Sequence, residues 1–366
     1  MAVSVRITGS RRIEFSVDEV TGAVGDSLTV LPIVVALALL TEISLPHVLV
    51  AFGVFQIVWG VWYGLPVSVE PMKALAALAI AGALSYAELA LAGLVLGVVL
   101  LAVGYTGALS VVERWIGEPV VRGIQFAVGL LLLETGVSLA AESPPLAAVG
   151  LVVALVVIAL GYRNASALVV LGVGAAIALG TAGVPAVQSP GLPPVPALGS
   201  ALTWGVVDGI VAQFAMTIGN AALATSLLFS DLFDREVPAD VLAGSMGVTN
   251  LLAVPLGGIP MCHGCDGVAG KYEFGARTGG ANVILGIGYL ALALVATGAL
   301  VAAFPVAMLG VLLALVAISL GSSVRKSSNV ALSVGIGLLA LVWNVGIAFA
   351  LGICAHLVVE RYRRGA

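Results

Sequence analysis

Apolar runs of membrane-span length, separated by short turns, recur from about residue 26 to residue 359 of this 366-residue chain. A helix crossing a bilayer needs about 20 mostly apolar residues, and inside hydrocarbon its backbone must satisfy its own hydrogen bonds. Charged residues are 9% and hydrophobic residues 61%, whereas a soluble domain carries roughly a quarter charged residues. Mean hydropathy is +1.18. A soluble globule, a disordered chain, collagen and a disulfide scaffold are thereby excluded. Aromatic residues make up 6%, and no stretch alternates as an outer-membrane barrel strand would. The expected class is an all-α polytopic membrane protein with closely packed small residues.

Spans are expected at 26–42, 46–63, 71–83, 86–104, 120–139, 145–161 and 165–182, then at 204–229, 239–255, 264–273, 279–303, 305–321, 328–341 and 343–359. That makes about 14 transmembrane segments in a chain with no room for an appended soluble domain. The expected organisation is a polar cytoplasmic arm (1–20), a first repeat (21–183), a Pro-rich linker (184–203), a second repeat (204–360) and a basic cytoplasmic tail (361–366). The start lacks a signal-peptide pattern, so the first helix is expected to direct insertion. With both termini cytoplasmic, every Lys or Arg except Lys73 falls on the inner side, including Arg114, Arg122, Arg163, Arg235, Lys271, Arg277, Arg325 and Lys326. This matches the positive-inside rule and predicts a multi-pass protein of the cell membrane. It also predicts a hairpin over 328–359, broken near Trp343 and Asn344. No basic run points to nucleic acid.

Seven spans per half is an odd number, so the halves would run in opposite directions, as in many secondary transporters. Gly64-Leu65-Pro66-Val67 and Gly258-Ile259-Pro260-Met261 stand in corresponding places, each before a short interrupted apolar segment. Pro66 and Pro71 bias Leu65 and Glu70 toward extended backbone, and Pro71 suits the first position of a helix. Two half-helices meeting at the midplane would aim unsatisfied N–H groups and positive dipole ends at one cavity, which suits a dehydrated oxyanion. Backbone N–H groups after Pro71 and Met72 and around Cys262, His263 and Gly264 are the candidate donors. Lys73 would add a charge. Gln213, Thr217 and Asn220, spaced by four and three, form a polar stripe able to hydrogen-bond the anion.

Ionisable residues within spans are functional candidates by default. They are Asp26, Glu70, Lys73, Glu134, Asp208 and Asp266. Asp26, Glu70, Asp208 and Asp266 are the coupling candidates, with helix capping the rival role for Asp26 and Asp208. The rival for Lys73 is pairing with a neighbouring acid or snorkelling, for His263 a buried hydrogen bond, and for the stripe interhelix contact. Cys262 and Cys265 suit packing better than metal ligation, so no metal and no cofactor are expected. Glu88, Glu118 and Asp240 read as span-end or loop charges.

The stretch PMCHGCDGVAGKYEFGARTGG at 260–280 resembles a signature of the molybdate transporter family, a branch of the sulfate permease (SulP) superfamily. EPMKALAALAI at 70–80, EVTGAVGDSLTVLP at 19–32, PVVRGIQFAVGLLL at 119–132 and QFAMTIGNAALAT at 213–225 are similar to its other motifs. The resemblance implies an oxyanion transporter with the seven-plus-seven inverted fold shared with uracil permeases, and it suggests a homodimer. Two positions depart from the family pattern: Glu70 stands for a Gln, and Cys265-Asp266 stand for Ala-Gly. Both departures put acids beside the expected anion site.

The expected function is secondary active transport of a tetrahedral oxyanion, molybdate first and sulfate or tungstate next. No G-x-x-x-x-G-K-[ST] loop is present, so coupling to a proton or sodium is expected rather than nucleotide drive. A nucleobase permease of the same fold and a passive anion channel are the alternatives. An enzyme is not expected.

Overall fold

The computed structural model describes residues 3–7, 11–109 and 115–365. Arg114 lies outside them, and the side chains of Arg6, Arg11, Arg12, Arg363 and Arg364 are likewise undescribed. A hairpin of β1 (Val3–Ile7) and β2 (Arg11–Phe15) precedes the helices. Ser16 caps α1 (Val17–Leu40) by accepting the Glu19 N–H. The helix therefore starts nine residues before the apolar run that predicted it at 26, and residues 17–20 belong to it rather than to the polar arm. A capped first turn carrying Asp18 and Glu19 is helical without being apolar.

There follow α2 (Leu45–Tyr63), β3 (Glu70–Pro71), α3 (Lys73–Ile80), α4 (Tyr86–Thr106), α5 (Glu118–Ala141), α6 (Pro144–Ala159) and α7 (Ser166–Ala182). The linker leads to α8 (Trp204–Met216), a π-helical turn over Thr217–Leu223, and α9 (Ala224–Phe233). The chain continues through α10 (Ala239–Ala253), β4 (Met261–Cys262), α11 (Cys265–Glu273), α12 (Gly280–Ala293), α13 (Gly298–Ala302), α14 (Val306–Ser322), α15 (Val330–Val342) and α16 (Val345–Gly365). The expected hairpin at 328–359 is present, broken at Trp343 where Asn344 accepts the Ile347 N–H. The expected single span 279–303 is instead two helices, because Thr297 caps a new start at Gly298. Among the described residues, eight helices are long and apolar enough to cross a membrane.

Helix contacts fall into pairs. α2 packs on α12 and α4 on α10; α1 packs on α11 and α3 on α8; α1 packs on α7 and α8 on α16; α6 packs on α14 and α5 on α15. Exchanging α1 with α8, α2 with α10, α3 with α11, α4 with α12 and α5, α6, α7 with α14, α15, α16 turns the first contact of each pair into the second. α5 and α14 pack on each other, so closely that a Cβ on Gly310 would overlap the backbone of Gly136 and Ala140.

Candidate functional site

The two half-helices meet because the extended segments before them pair. β3 and β4 are antiparallel, with Glu70 opposite Cys262 and Pro71 opposite Met261. Met72 donates its N–H to the Pro260 carbonyl at 2.8 Å. Pro71 has no N–H and lies in β3, two residues before the first helical residue rather than at the first helical position. Asn250 of α10 closes the other edge: its Oδ1 accepts the Met261 N–H at 2.7 Å and its Nδ2 donates to the Met261 carbonyl at 2.9 Å. Irregular backbone at this depth is thus satisfied by protein.

The protein itself caps both helix tips. Gln213 Oε1 accepts the Ala74 N–H at 2.9 Å, while its Nε2 donates to Thr217 Oγ1 at 3.0 Å. Gln213 thus caps the start of α3, and Thr217 holds its amide. On α11, the Gly267 N–H goes to Glu70 Oε1 at 2.9 Å. A Cβ at Gly264 or Gly267 would collide with that carboxylate, so glycine is what admits it. An internal anion therefore occupies a place where the helix dipole favours one.

Charges alternate from there. Lys73 Nζ lies 2.7 Å from Glu70 Oε2 and 3.2 Å from Asp266 Oδ2. Ser68 Oγ bridges Glu70 and Asp26, at 3.0 and 2.5 Å. Asp26 pairs with Lys271 Nζ at 3.0 Å and accepts from Gln56 Nε2 at 2.6 Å. Lys271 also donates to the Val67 carbonyl at 2.7 Å, to Gln56 and to Asn282. Three carboxylates (Asp26, Glu70, Asp266) face two ammonium groups (Lys73, Lys271), leaving one uncompensated negative charge when all are ionised. Asp266 is the wet end of the cluster, with a side chain 52% exposed against 6% for Lys73. In a low-dielectric interior such pairs hold only while both partners remain.

The structure revises several sequence expectations. Lys271 is fully buried in this cluster rather than an inner-face charge, because α11 runs back beside α1. Asp26 lies mid-helix in α1, where it caps nothing, and joins the cluster. Asp208, the fifth residue of α8, stands instead beside Gly346 of α16, apart from the cluster. Glu134 is exposed on α5. His263 is buried, its Nδ1 2.8 Å from the Ser68 carbonyl and its Nε2 2.8 Å from Ser245 Oγ. Its backbone N–H faces Met246 Sδ at 3.1 Å, so it is committed to the protein. Cys262 is buried, and Cys265 Sγ lies 3.0 Å from Asn220 Oδ1. The π turn, which replaces the ordinary i→i−4 register, separates Asn220 from the stripe shared by Gln213 and Thr217. Glu88 forms a capping box with Ser85, as a span-end charge does.

Sequence reasoning overlooked Gln56, Ser68, Asn250, Asn282 and Lys271. A lone Gln within LVAFGVFQIVWG was the legible signal for one of them. Glu19 was overlooked as well: its carboxylate accepts the N–H groups of Arg277, Thr278 and Ala281 and the Thr278 hydroxyl, which ties the 19–32 motif to the end of the 260–280 motif and the start of α12.

Outside the cluster, a cavity of about 180 Å³ lies between the first turns of α5 and the π turn, with Glu118, Arg122, Gln125 and Asn220 as its polar lining.

Residues 18–132 and 205–320 match the family described as "Molybdate transporter of MFS superfamily". The chain is 29% identical to Molybdate transporter 2 of Arabidopsis thaliana, covering 93% of this chain and 86% of that protein. It is 28% identical to Molybdate transporter 1 of Chlamydomonas reinhardtii, covering 94% and 91%. Its fold matches the transmembrane domain of a cyanobacterial bicarbonate transporter, BicA, with TM-score 0.64 at 17% identity over 93% of this chain and 96% of that one. It also matches the murine anion transporter Slc26a9 in its inward-facing state, with TM-score 0.70 at 15% identity over 98% and 70%. A mostly helical polytopic fold with two half-helices joined through paired strands, together with a family match over more than half the sequence, makes this a multi-pass membrane transporter rather than an enzyme, and the chain belongs to the molybdate transporter family.

Proposed function

We propose that the chain is a secondary active transporter of a tetrahedral oxyanion, with molybdate the first substrate and sulfate or tungstate next. The antiparallel junction of the two half-helix starts around Lys73 carries this reading. The substrates named for its relatives, molybdate above all, agree with it. Lys73 is the direct anion contact. Glu70 and Asp266 are the protein's own anions, which yield Lys73 to the substrate. The uncompensated charge of the cluster calls for a cation before a dianion can enter, so a proton or a sodium ion is the coupling partner. Glu70 and Asp26 are the carboxylates that take it.

The paired helix contacts support a seven-plus-seven inverted repeat over 21–183 and 204–360. Eight long helices, α1, three shorter apolar helices and two half-helices support fourteen segments. An even number of crossings agrees with both termini on the cytoplasmic side of the cell membrane. Transport would move a core holding the half-helices and α8 against α5–α7 and α14–α16.

The test is uptake of labelled molybdate into proteoliposomes under an imposed proton or sodium gradient. Accumulation above the external concentration is expected, with competition by tungstate and sulfate and none by uracil. Flux that only equilibrates would indicate a channel, and competition by uracil alone a nucleobase permease.

A further inference from the structure

Arg122 stands apart from the buried cluster, at a cavity it shares with Asn220, whose Oδ1 touches the residue next to Asp266. It leaves α5 at the wall of the 180 Å³ cavity, opposite Asn220 on the π turn. Its Nε donates to Glu118 Oε1 at 3.0 Å and its Nη1 to Gln125 Oε1 at 3.2 Å. These two bonds fix the plane of a guanidinium that has five donors in all. Across the cavity, Asn220 Oδ1 contacts Cys265 Sγ, and the next residue, Asp266, holds Lys73. The cavity lies between α5 and the segment following α8, at the boundary where the proposed moving core meets its surround.

The pair Arg122–Glu118 has side chains 28% and 42% exposed. Exposed pairs of this kind are weak and exchange readily. Glu118 has a second tie, accepting the N–H and hydroxyl of Ser328 before α15. Arg122 can therefore release it while Glu118 stays held. A planar fork of N–H groups matches two oxygens of a tetrahedral oxyanion, which a lysine does not.

We propose that Arg122 is the cytoplasmic anion contact of the transport path, where a tetrahedral oxyanion docks on the guanidinium, opposite the Asn220 amide, on its way between Lys73 and the cytoplasm. This rests on the oxyanion-transport reading above. It assigns the cavity a cytoplasmic loading site distinct from the buried cluster, at which a dianion takes the place of Glu118 on the Arg122 guanidinium.

The experiment pairs molybdate uptake by proteoliposomes with equilibrium binding of tungstate to purified protein in nanodiscs. Arg122→Gln is expected to raise KM and the tungstate dissociation constant about tenfold with little change in maximal rate, the pattern for removing an interaction made equally in the ground and transition states. Arg122→Lys keeps the charge without the fork and is expected to fall between, which also controls for folding. Lys73→Gln is expected to stop uptake yet leave Arg122-dependent tungstate binding. Binding by Arg122→Gln that is indistinguishable from the unaltered protein overturns the loading site, whatever uptake shows. Arg122-dependent tungstate binding by a protein that takes up no oxyanion sustains this site and ends the transport reading instead.

Discussion

Every residue of α3 from Lys73 to Ile80 is buried, whereas α11 buries only Gly267, Val268 and Lys271. Both segments begin after a paired extended strand, and both are closed by a side chain from elsewhere. The closures differ in charge: a neutral amide, Gln213, seals α3, while a carboxylate, Glu70, seals α11. α3 carries its cation at its first helical residue. α11 places an acid and a glycine in its first turn and its cation two turns further in. The two half-helices therefore differ in setting: α3 is a buried wall that holds Lys73, and α11 is the wetter side, where the Asp266 side chain is 52% exposed. Solute exchange is expected on the α11 side.

The largest effect should come from removing the cation that the wall presents. Lys73→Met leaves Glu70 and Asp266 without it, and breaking a buried pair in this way costs about 3–5 kcal/mol. Uptake should vanish and thermal unfolding should shift down. Adding Glu70→Gln should recover most of the stability and none of the uptake, since the pair couples the two positions. A double variant that transports would show that the wall contributes no charge to the substrate.

A smaller effect should come from the wet side. Gly267→Ala forces a methyl group into the space of Glu70, Ser68 and Asp26, and overpacking of this kind costs roughly 1–3 kcal/mol. Gly244→Ala in α10 meets open space and is expected to be neutral or to gain about 0.5–1 kcal/mol from helix propensity. Thermal unfolding of the two purified variants checks this. Equal behaviour would mean that Glu70 does not sit in the first turn of α11.

Apolar length alone located nearly every helix, because backbone satisfaction in hydrocarbon leaves little choice. It failed where helix formation did not depend on hydropathy. α1 begins on a Ser16 cap, α12 and α13 are divided by a Thr297 cap, and the π turn at 217–223 has no apolar signature. The half-helices were legible because Pro66, Pro71 and Pro260 constrain the backbone locally. Lys271 was not, because a basic residue near a span end looks the same whether it faces headgroups or turns inward. Its partner Asp26 is 245 residues away along the chain. The capping bond of Gln213 to Ala74 was not legible, since an amide that caps a helix and one that binds an anion occupy the same kind of face. The acids at 70 and 266 stood out as departures from the family motif, and the Lys73 ammonium between them shows how two extra charges are held at the junction.

Asp26 and Asp208 offer the finest discrimination, because the sequence presents them alike: one acid near the predicted start of the first span of each half. In the structure Asp26 is wholly buried and bonded to Ser68, Gln56 and Lys271. Asp208 is half-buried in α8 behind a Thr203 cap and touches the start of α16. If coupling requires a carboxylate within the charge cluster, Asp208→Asn should leave uptake and its proton or sodium dependence within about twofold of the unaltered protein, as substitutions at half-exposed positions outside a polar network usually do. Asp26→Asn, measured beside it, should abolish the gradient dependence, because Lys271 would lose its only carboxylate partner among the described residues. A flattened gradient response in the Asp208 variant would move coupling out of the half-helix junction and onto the contact between α8 and α16, where the core meets its surround.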